Sequence, residues 1–285
     1  MADGDYERGR GREIAAIAAR LKRLAAARDG HAAVPTPVAG ASRPGILVLN
    51  GWASSPHAWD LCGFMSRPGV RLFSYVDQLA GLPERLVNRT IGQSNNRTAE
   101  QVLLVGWSMG GSGALRLACR FPDRVAGLVL VAATPRMMED KAADWRGMSP
   151  RRLDALRKGL ELTHGEGFFG VPEGKPNPYM VDATENLEGG LRYLLETDIR
   201  ADLERVFAPD AGRSAFNAQR PKFPVHIFQS ERDGIVRSEN AAYLKTVFPQ
   251  ARVTMVPGTE HALPIMIPKE IDDAVDACLA VAAQS

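Results

Sequence analysis

Short apolar runs alternate with amphipathic segments along most of the chain. The apolar runs predict β-strands at Ile46–Asn50, Val70–Val76, Val102–Val105, Leu128–Val131, Val225–Phe228 and Val253–Val256. Segments whose apolar residues recur with helical spacing predict helices at Ser112–Phe121, Ser238–Phe248 and Lys269–Ala282. Strands that alternate with helices are typical of an α/β fold, in which a mostly parallel sheet carries helices on both faces.

The alternation lapses at about residues 136–222. This stretch holds a basic amphipathic segment at Pro150–Leu162, a run rich in Gly and Pro, and a second helical piece near Leu187–Leu203. We therefore expect an insertion here, within one domain that spans residues 45–285.

Residues 1–44 differ in pattern from this domain. They predict a basic, alanine-rich helix followed by a linker rich in Pro and Gly, and the helix carries one apolar stripe made by Ile14, Ile17, Leu21 and Leu24. So short a stripe leaves the role of the segment open. It fits docking on the body of the protein, pairing with a second copy, contact with an anionic surface, or a solvated extension.

Charge and composition narrow the class of protein. The chain has 285 residues and a formal net charge of +2, which argues against a nucleic-acid-binding protein. We find no apolar run long enough to span a bilayer and no apolar signal core, so we expect a cytoplasmic protein. The cysteines, Cys62, Cys119 and Cys278, are odd in number and lack metal-ligand spacing, which predicts packing roles in a reducing compartment.

One apolar run leads directly into a candidate nucleophile. Val102–Val105 precedes Gly106-Trp107-Ser108-Met109-Gly110, and a predicted helix follows. A Gly-x-Ser-x-Gly turn between a strand and a helix lifts the serine hydroxyl clear of the backbone, and glycines avoid collisions within the tight turn. The motif predicts that Ser108 is a catalytic nucleophile.

A serine nucleophile needs a base and an acid that orients the base. His261 follows the last predicted strand, so it should lie at the carboxyl ends of the strands, as Ser108 does. The other histidines are predicted in the linker (His31), beside the loop after the first strand (His57), in the insertion (His164) and inside a strand (His226). The loop after the preceding strand offers Asp233, which we favour because Gly234 follows it, and Glu231 as the alternative. The order serine, aspartate, histidine is that of α/β-hydrolases.

Acyl transfer also needs N–H donors for the oxyanion that forms. We expect one from the backbone of Met109, directly after the nucleophile, and one from Trp52, after the first predicted strand. The Trp52 side chain either lines the acyl pocket or fills the core.

Motifs spread along the chain resemble the α/β-hydrolase family: Asn50-Gly51-Trp52, Gly106-Trp107-Ser108-Met109-Gly110-Gly111, Phe121-Pro122-Asp123-Arg124-Val125, Asp233-Gly234-Ile235-Val236 and His261-Ala262. Within it, residues 46–282 are similar to esterases that demethylate pimeloyl-[acyl-carrier protein] methyl ester in biotin synthesis. The family usually has His-Gly at the position of Asn50-Gly51, so Asn50 is expected to supply a different supporting hydrogen bond. The turn at residues 77–83 also departs from the family pattern, which bears on substrate choice.

The resemblance implies a helical cap in the insertion and roles for matched residues. Ser108 would be the nucleophile, His261 the base and Asp233 its orienting acid, with Trp52 and Met109 at the oxyanion and acyl site. In that group, aromatic cap residues line the acyl channel and basic cap residues meet the acidic carrier protein. The matching candidates are Phe168 and Phe169 for the channel, and Arg146, Arg151, Arg152, Arg157 and Lys158 for the basic face. The alternative interpretation of these basic residues is a solvated helix face without a partner protein.

Together these features predict a serine esterase that works through an acyl-enzyme and needs neither a metal nor an organic cofactor. The expected substrate is pimeloyl-[acyl-carrier protein] methyl ester. The alternatives are a broad-specificity carboxylesterase for small or medium acyl esters, cofactor-free perhydrolysis on the same triad, and a non-catalytic binding protein with this fold.

Overall fold

A parallel β-sheet organises the chain. The structure, a computed structural model, describes residues 44–89, 101–163, 179, 184–207 and 223–284. Its strands are β1 (Gly45–Leu49), β2 (Val70–Phe73), β3 (Val102–Trp107), β4 (Val125–Val131), β5 (Val225–Ser230) and β6 (Arg252–Val256). They form a six-stranded sheet in the order β2-β1-β3-β4-β5-β6, and each neighbouring pair is parallel. The predicted α/β fold with a mostly parallel sheet is confirmed.

Helices cover both faces of this sheet. Those described are α1 (Tyr75–Leu79), α2 (Leu82–Arg89), α3 (Met109–Arg120), α4 (Pro150–Thr163), α5 (Thr184–Glu196), α6 (Arg200–Phe207), α7 (Glu239–Val247), α8 (Leu263–Met266) and α9 (Pro268–Ala282). Alternate residues of β3 face opposite ways: Leu104 joins a core with α3, α6 and α7, while Leu103 and Val105 join a core with α9. A strand buried on both faces reads as a continuous apolar run, which explains the sequence pattern of β3.

Several predicted boundaries are wrong for local reasons. The second strand ends at Phe73 rather than Val76, because Ser74 and Asp77 form a capping box that starts α1. The helix predicted from Ser112 begins at Met109. The piece near Leu187–Leu203 is two helices, α5 and α6, separated by residues 197–199.

The segment between β4 and β5 carries α4, α5 and α6. Helix α5 contacts both α4 and α1, and α6 contacts α3. Phe168 and Phe169 lie outside the described residues, as does the whole segment 1–44 except Pro44. No described helix is both long enough and apolar enough to cross a membrane.

Candidate active site

Ser108 lies in a strained turn between β3 and α3. Its φ of 55° and ψ of −119° fall outside the conformations that side-chain-bearing residues favour, and its N–H donates to the Val131 carbonyl at 2.9 Å. A Cβ on Gly106 would lie 2.4 Å from the Gly110 oxygen, and a Cβ on Gly110 would lie 2.0 Å from the Leu49 oxygen. The predicted steric need for both glycines is therefore confirmed.

His261 and Asp233 are brought together after β6 and β5. The His261 Nδ1 lies 2.8 Å from the Asp233 Oδ2, and the Asp233 side chain is 0% exposed. The other carboxylate oxygen, Oδ1, accepts hydrogen bonds from the N–H groups of Ile235 at 2.7 Å and Val236 at 3.1 Å. These bonds fix the carboxylate toward the imidazole, whereas the alternative acid, Glu231, is exposed to solvent.

Two side chains that the sequence analysis did not assign to the site hold this pair. The Trp107 Nε1 donates to the His261 carbonyl oxygen at 2.9 Å, and the two rings have centroids 5.8 Å apart. Because Trp107 directly precedes Ser108, this bond ties the histidine loop to the serine turn. The Asp233 carboxylate is held as well: the buried Gln229 Nε2 donates to the Asp233 Oδ2 at 3.3 Å and to the Val236 carbonyl at 3.0 Å. The only sequence signal for Trp107 was its place inside the Gly-x-Ser-x-Gly turn, Gly106–Gly110, here called the elbow.

The remaining histidines are separate from this arrangement or not described. His57 is exposed and lies 2.9 Å from the Asp60 carboxylate. His226 lies within β5, where burial, and to a lesser degree Arg252, lowers its pKa. His31 and His164 fall outside the described residues.

Residues 51–55, here called the 51–55 loop, carry the predicted oxyanion donor Trp52. The buried Asn50 supports the loop from below: its Nδ2 donates to the carbonyl oxygens of Ser54 at 2.9 Å and Ser55 at 2.8 Å, and its Oδ1 accepts from the Trp59 Nε1 at 3.0 Å. The expectation that Asn50 supplies a supporting hydrogen bond is confirmed. The Nδ2 group of Asn50 thus holds the loop, and its Oδ1 anchors the same side chain to Trp59, just beyond the loop.

Met109 is the second residue predicted to donate an N–H to the oxyanion. It is the first residue of α3, so its N–H is among those that the helix itself leaves unbonded, and the positive end of the helix dipole lies there. Its buried side chain belongs to an apolar cluster that joins the elbow to the segment between β4 and β5: Tyr75, Met109, Met137, Met138, Met148, Leu153, Leu194 and Val236. The Trp52 ring packs against the same cluster.

The basic residues predicted on the insertion differ in their partners. Arg157 pairs with Asp154 and Glu161, and Lys158 pairs with Asp154, all within α4. Arg146 reaches a glutamate on α7 at 3.6 Å. Arg151 and Arg152 are exposed at the start of α4. The Arg152 guanidinium lies near the turn that follows Asp233, 3.6 Å from where a Cβ on Gly234 would be.

A strained serine turn at the carboxyl end of a parallel strand, with a histidine–aspartate pair at the carboxyl ends of two other strands of the sheet, defines a class of protein. Residues 98–265, more than half of the chain, match the family model described as the alpha/beta hydrolase fold. The chain belongs to this family.

Relatives with curated names are similar over most of the chain. A pimeloyl-[acyl-carrier protein] methyl ester esterase from Nitrosospira multiformis is 27% identical over 76% of this chain and 88% of the relative. An esterase of the same name from Nitrosomonas europaea is 25% identical over 82% and 95%, respectively. One from Shewanella woodyi is 30% identical over 58% of this chain and 72% of the relative.

Solved structures share the fold at low sequence identity. A hydrolase from Oleispira antarctica superposes with a TM-score of 0.60 and 15% identity, over 85% of this chain and 92% of that one. A lipase-esterase related protein from Clostridium acetobutylicum gives a TM-score of 0.60 and 12% identity, over 86% and 97%. These likenesses concern the fold alone.

Proposed function

We propose that this protein is a serine carboxylic ester hydrolase with Ser108 as nucleophile, His261 as base and Asp233 as the acid that orients the base. One observation carries the proposal: the 2.8 Å contact between His261 Nδ1 and Asp233 Oδ2. It leaves His261 Nε2 to face a reacting group, and the Trp107 bond to the His261 carbonyl keeps that ring beside the serine turn.

The mechanism follows from these contacts. His261 takes the proton of the Ser108 hydroxyl as its oxygen attacks the ester carbonyl carbon, and buried Asp233 stabilises the imidazolium that forms. The oxyanion receives hydrogen bonds from the N–H groups of Met109 and Trp52. His261 then gives its proton to the departing alkoxide, which leaves as an alcohol. Water attacks the acyl-enzyme with the same histidine as base, which releases the carboxylic acid and restores Ser108.

The proposed substrate is pimeloyl-[acyl-carrier protein] methyl ester, cleaved to methanol and the free distal carboxylate. Three observations support it: the names of the curated relatives, the apolar cluster that includes Met109 of the elbow, and the guanidinium of the exposed Arg152 near the turn after Asp233. An apolar wall suits a methylene chain, and arginine suits the phosphate of a carrier's prosthetic arm. In this proposal the segment at residues 136–222 acts as a cap over the site, and the reaction takes place in the cytoplasm.

The nearest rival is a carboxylesterase for small or medium acyl esters, which would use the same triad. The ion pairs within α4 favour it, because Arg157 and Lys158 already face acidic neighbours and offer less charge to an acidic carrier protein.

The test compares two substrates in wild type and three variants. Wild type should cleave the carrier-bound methyl ester, Ser108→Ala should cleave neither this ester nor a short p-nitrophenyl ester, and Asp233→Asn should lose about 10⁴-fold in kcat. Glu231→Gln, which changes an exposed neighbour, is the matched control and should keep wild-type kcat. Serine-dependent cleavage of the short ester alone would favour the rival. Failure of a fluorophosphonate to label Ser108 in the folded protein would favour the non-catalytic alternative.

A further inference from the structure

Trp52 joins the 51–55 loop to helix α5. Its indole Nε1 donates to the Leu187 carbonyl oxygen at 3.1 Å, within the first half of that helix. Its ring also packs against two apolar clusters, one that contains Met109 of the elbow and one that contains Leu160 and Leu187 of the insertion. One side chain therefore bonds α5 and packs against both clusters, one with a residue of the serine turn and one with residues of the insertion.

Gly190 lets the helix approach the indole this closely. A Cβ on Gly190 would lie 2.2 Å from the Trp52 Cδ1 and 2.5 Å from its Nε1, well inside van der Waals contact. An indole is rigid, so the ring as a whole would have to move. Glycine inside a helix costs about 1 kcal/mol relative to alanine. The close approach to Trp52 gives a physical reason for glycine at this position.

Backbone conformation and hydrogen bonds constrain the 51–55 loop, so the Trp52 indole and the Trp52 backbone amide cannot easily move independently. Ala53 has a φ of 58°, in the left-handed region that a side-chain-bearing residue adopts at a cost. The Ser54 hydroxyl donates to the Trp52 carbonyl at 3.2 Å, and Asn50 holds the carbonyl oxygens of Ser54 and Ser55. A displacement of the ring is therefore transmitted to the main chain that carries the amide.

We propose that Trp52 and Gly190 are positioning residues. The packing of α5 against the Trp52 indole fixes the position of the Trp52 backbone N–H, which donates to the oxyanion. The inference rests on the proposed function, because it assigns the Trp52 N–H to the oxyanion. It adds a coupling: the helix that covers the site also determines whether the hydrogen-bond donor lies where the transition state needs it. Displacement of one donor by about 1 Å is enough to lower a rate about a hundredfold.

Gly190→Ala and Gly189→Ala form a matched pair. Both replace a glycine of α5 and gain the same helix propensity, but among the described residues the Cβ on Gly189 would meet only the Leu79 Cδ1 at 3.1 Å, the end of a flexible side chain. With p-nitrophenyl acetate, Gly190→Ala should lower kcat about 10- to 100-fold with little change in KM, since the lost contact concerns the transition state. Gly189→Ala should keep wild-type kcat.

Two further variants keep the proposal testable if Gly190→Ala folds poorly. Trp52→Phe removes the N–H that bonds Leu187 but keeps an aromatic ring, and should lower kcat about fivefold, the value of one hydrogen bond. In a Trp52→Leu background, Gly190→Ala should cause no further loss of kcat, because the ring it strikes is absent.

Hydrogen exchange supplies a readout that does not depend on activity. The amides of residues 51–55 should exchange faster in Gly190→Ala than in Gly189→Ala or wild type. Wild-type kcat in both Gly190→Ala and Trp52→Phe, or equal losses in the two glycine variants, would overturn the inference while leaving the hydrolase intact. A wild type that neither cleaves esters nor reacts with a fluorophosphonate would instead overturn the proposed function and this inference with it.

Discussion

Asn50→Asp tests the support of the 51–55 loop with almost no change of shape. The substitution replaces the Nδ2 donor, which bonds the carbonyl oxygens of Ser54 and Ser55, with an oxygen. An ionised carboxylate here would be buried and would face two carbonyl oxygens. The least costly state is the protonated acid, whose single O–H satisfies one carbonyl and leaves the other without a donor.

The expected loss of stability has two parts. The unsatisfied carbonyl costs about 1–3 kcal/mol at any pH. Protonation adds about 1.4 kcal/mol for each unit by which the folded pKa of the introduced carboxyl exceeds its unfolded value near 3.9. Because this pKa is raised on folding, the variant is least destabilised below about pH 4, and the deficit grows as the pH rises toward the folded pKa.

Urea unfolding at several pH values and ester hydrolysis measure the two consequences. We expect a total deficit of about 3–6 kcal/mol at pH 7 for Asn50→Asp, and a kcat about 10- to 100-fold below wild type through displacement of the Trp52 N–H. Asn240→Asp is the matched control: this buried amide bonds the Arg237 carbonyl at 2.9 Å, outside the 51–55 loop. It should lose stability and keep kcat. A pH-independent deficit, or wild-type kcat in Asn50→Asp, would refute the reasoning.

Three other predictions concern stability. Gly110→Ala should lose more than about 4 kcal/mol because its Cβ would lie 2.0 Å from a carbonyl oxygen of β1, whereas Gly159→Ala, whose Cβ in α4 would meet no atom of the described residues within 4 Å, should gain up to about 1 kcal/mol in urea unfolding. Tyr75→Phe should raise Tm, because the buried Tyr75 hydroxyl has no hydrogen-bond partner within the part of the chain that the structure describes; a lower Tm would contradict this. Hydrogen bonds from Arg200 lower the pKa of Asp198 from 3.8 to about 2, so its ionised form stabilises the fold above about pH 4, and this contribution is lost as the pH falls toward 2. Asp198→Asn should therefore cost about 1 kcal/mol at pH 7, allowing for solvent screening, and the difference from wild type should shrink steadily as the pH falls from 4 to 2; equal differences at pH 7 and pH 2 would contradict the assignment.

The parts of the site that the sequence predicted are those with a local cause. A Gly-x-Ser-x-Gly turn is constrained by neighbours within a few residues, since a Cβ on Gly106 would strike Gly110, so the motif alone indicates the geometry. The start of α1 also had a local signal in the sequence, because Ser74 and Asp77 have the spacing of a capping box, but we did not use it. We predicted a strand there because the apolar run continues to Val76.

Contacts between distant segments could not be predicted in this way. Trp107 and His261 are far apart in sequence, and only the folded sheet brings the indole to the histidine carbonyl. Gln229 reads as one polar residue in an apolar strand, and its bond to Asp233 depends on the turn that follows. The close approach of Gly190 to Trp52 likewise depends on how the insertion packs on the domain.

The order of the strands has a consequence for how the protein matures. Ser108 follows β3, near the middle of the sheet, whereas the proposed base follows β6, at its edge, so strand pairing from β3 through β6 must be complete before the histidine can reach the serine. A nascent or partly folded chain can form the serine turn without any means to activate it. Hydrolytic activity would then report that β5 and β6 have joined the sheet, and a newly made chain would stay inactive until β6 is in place.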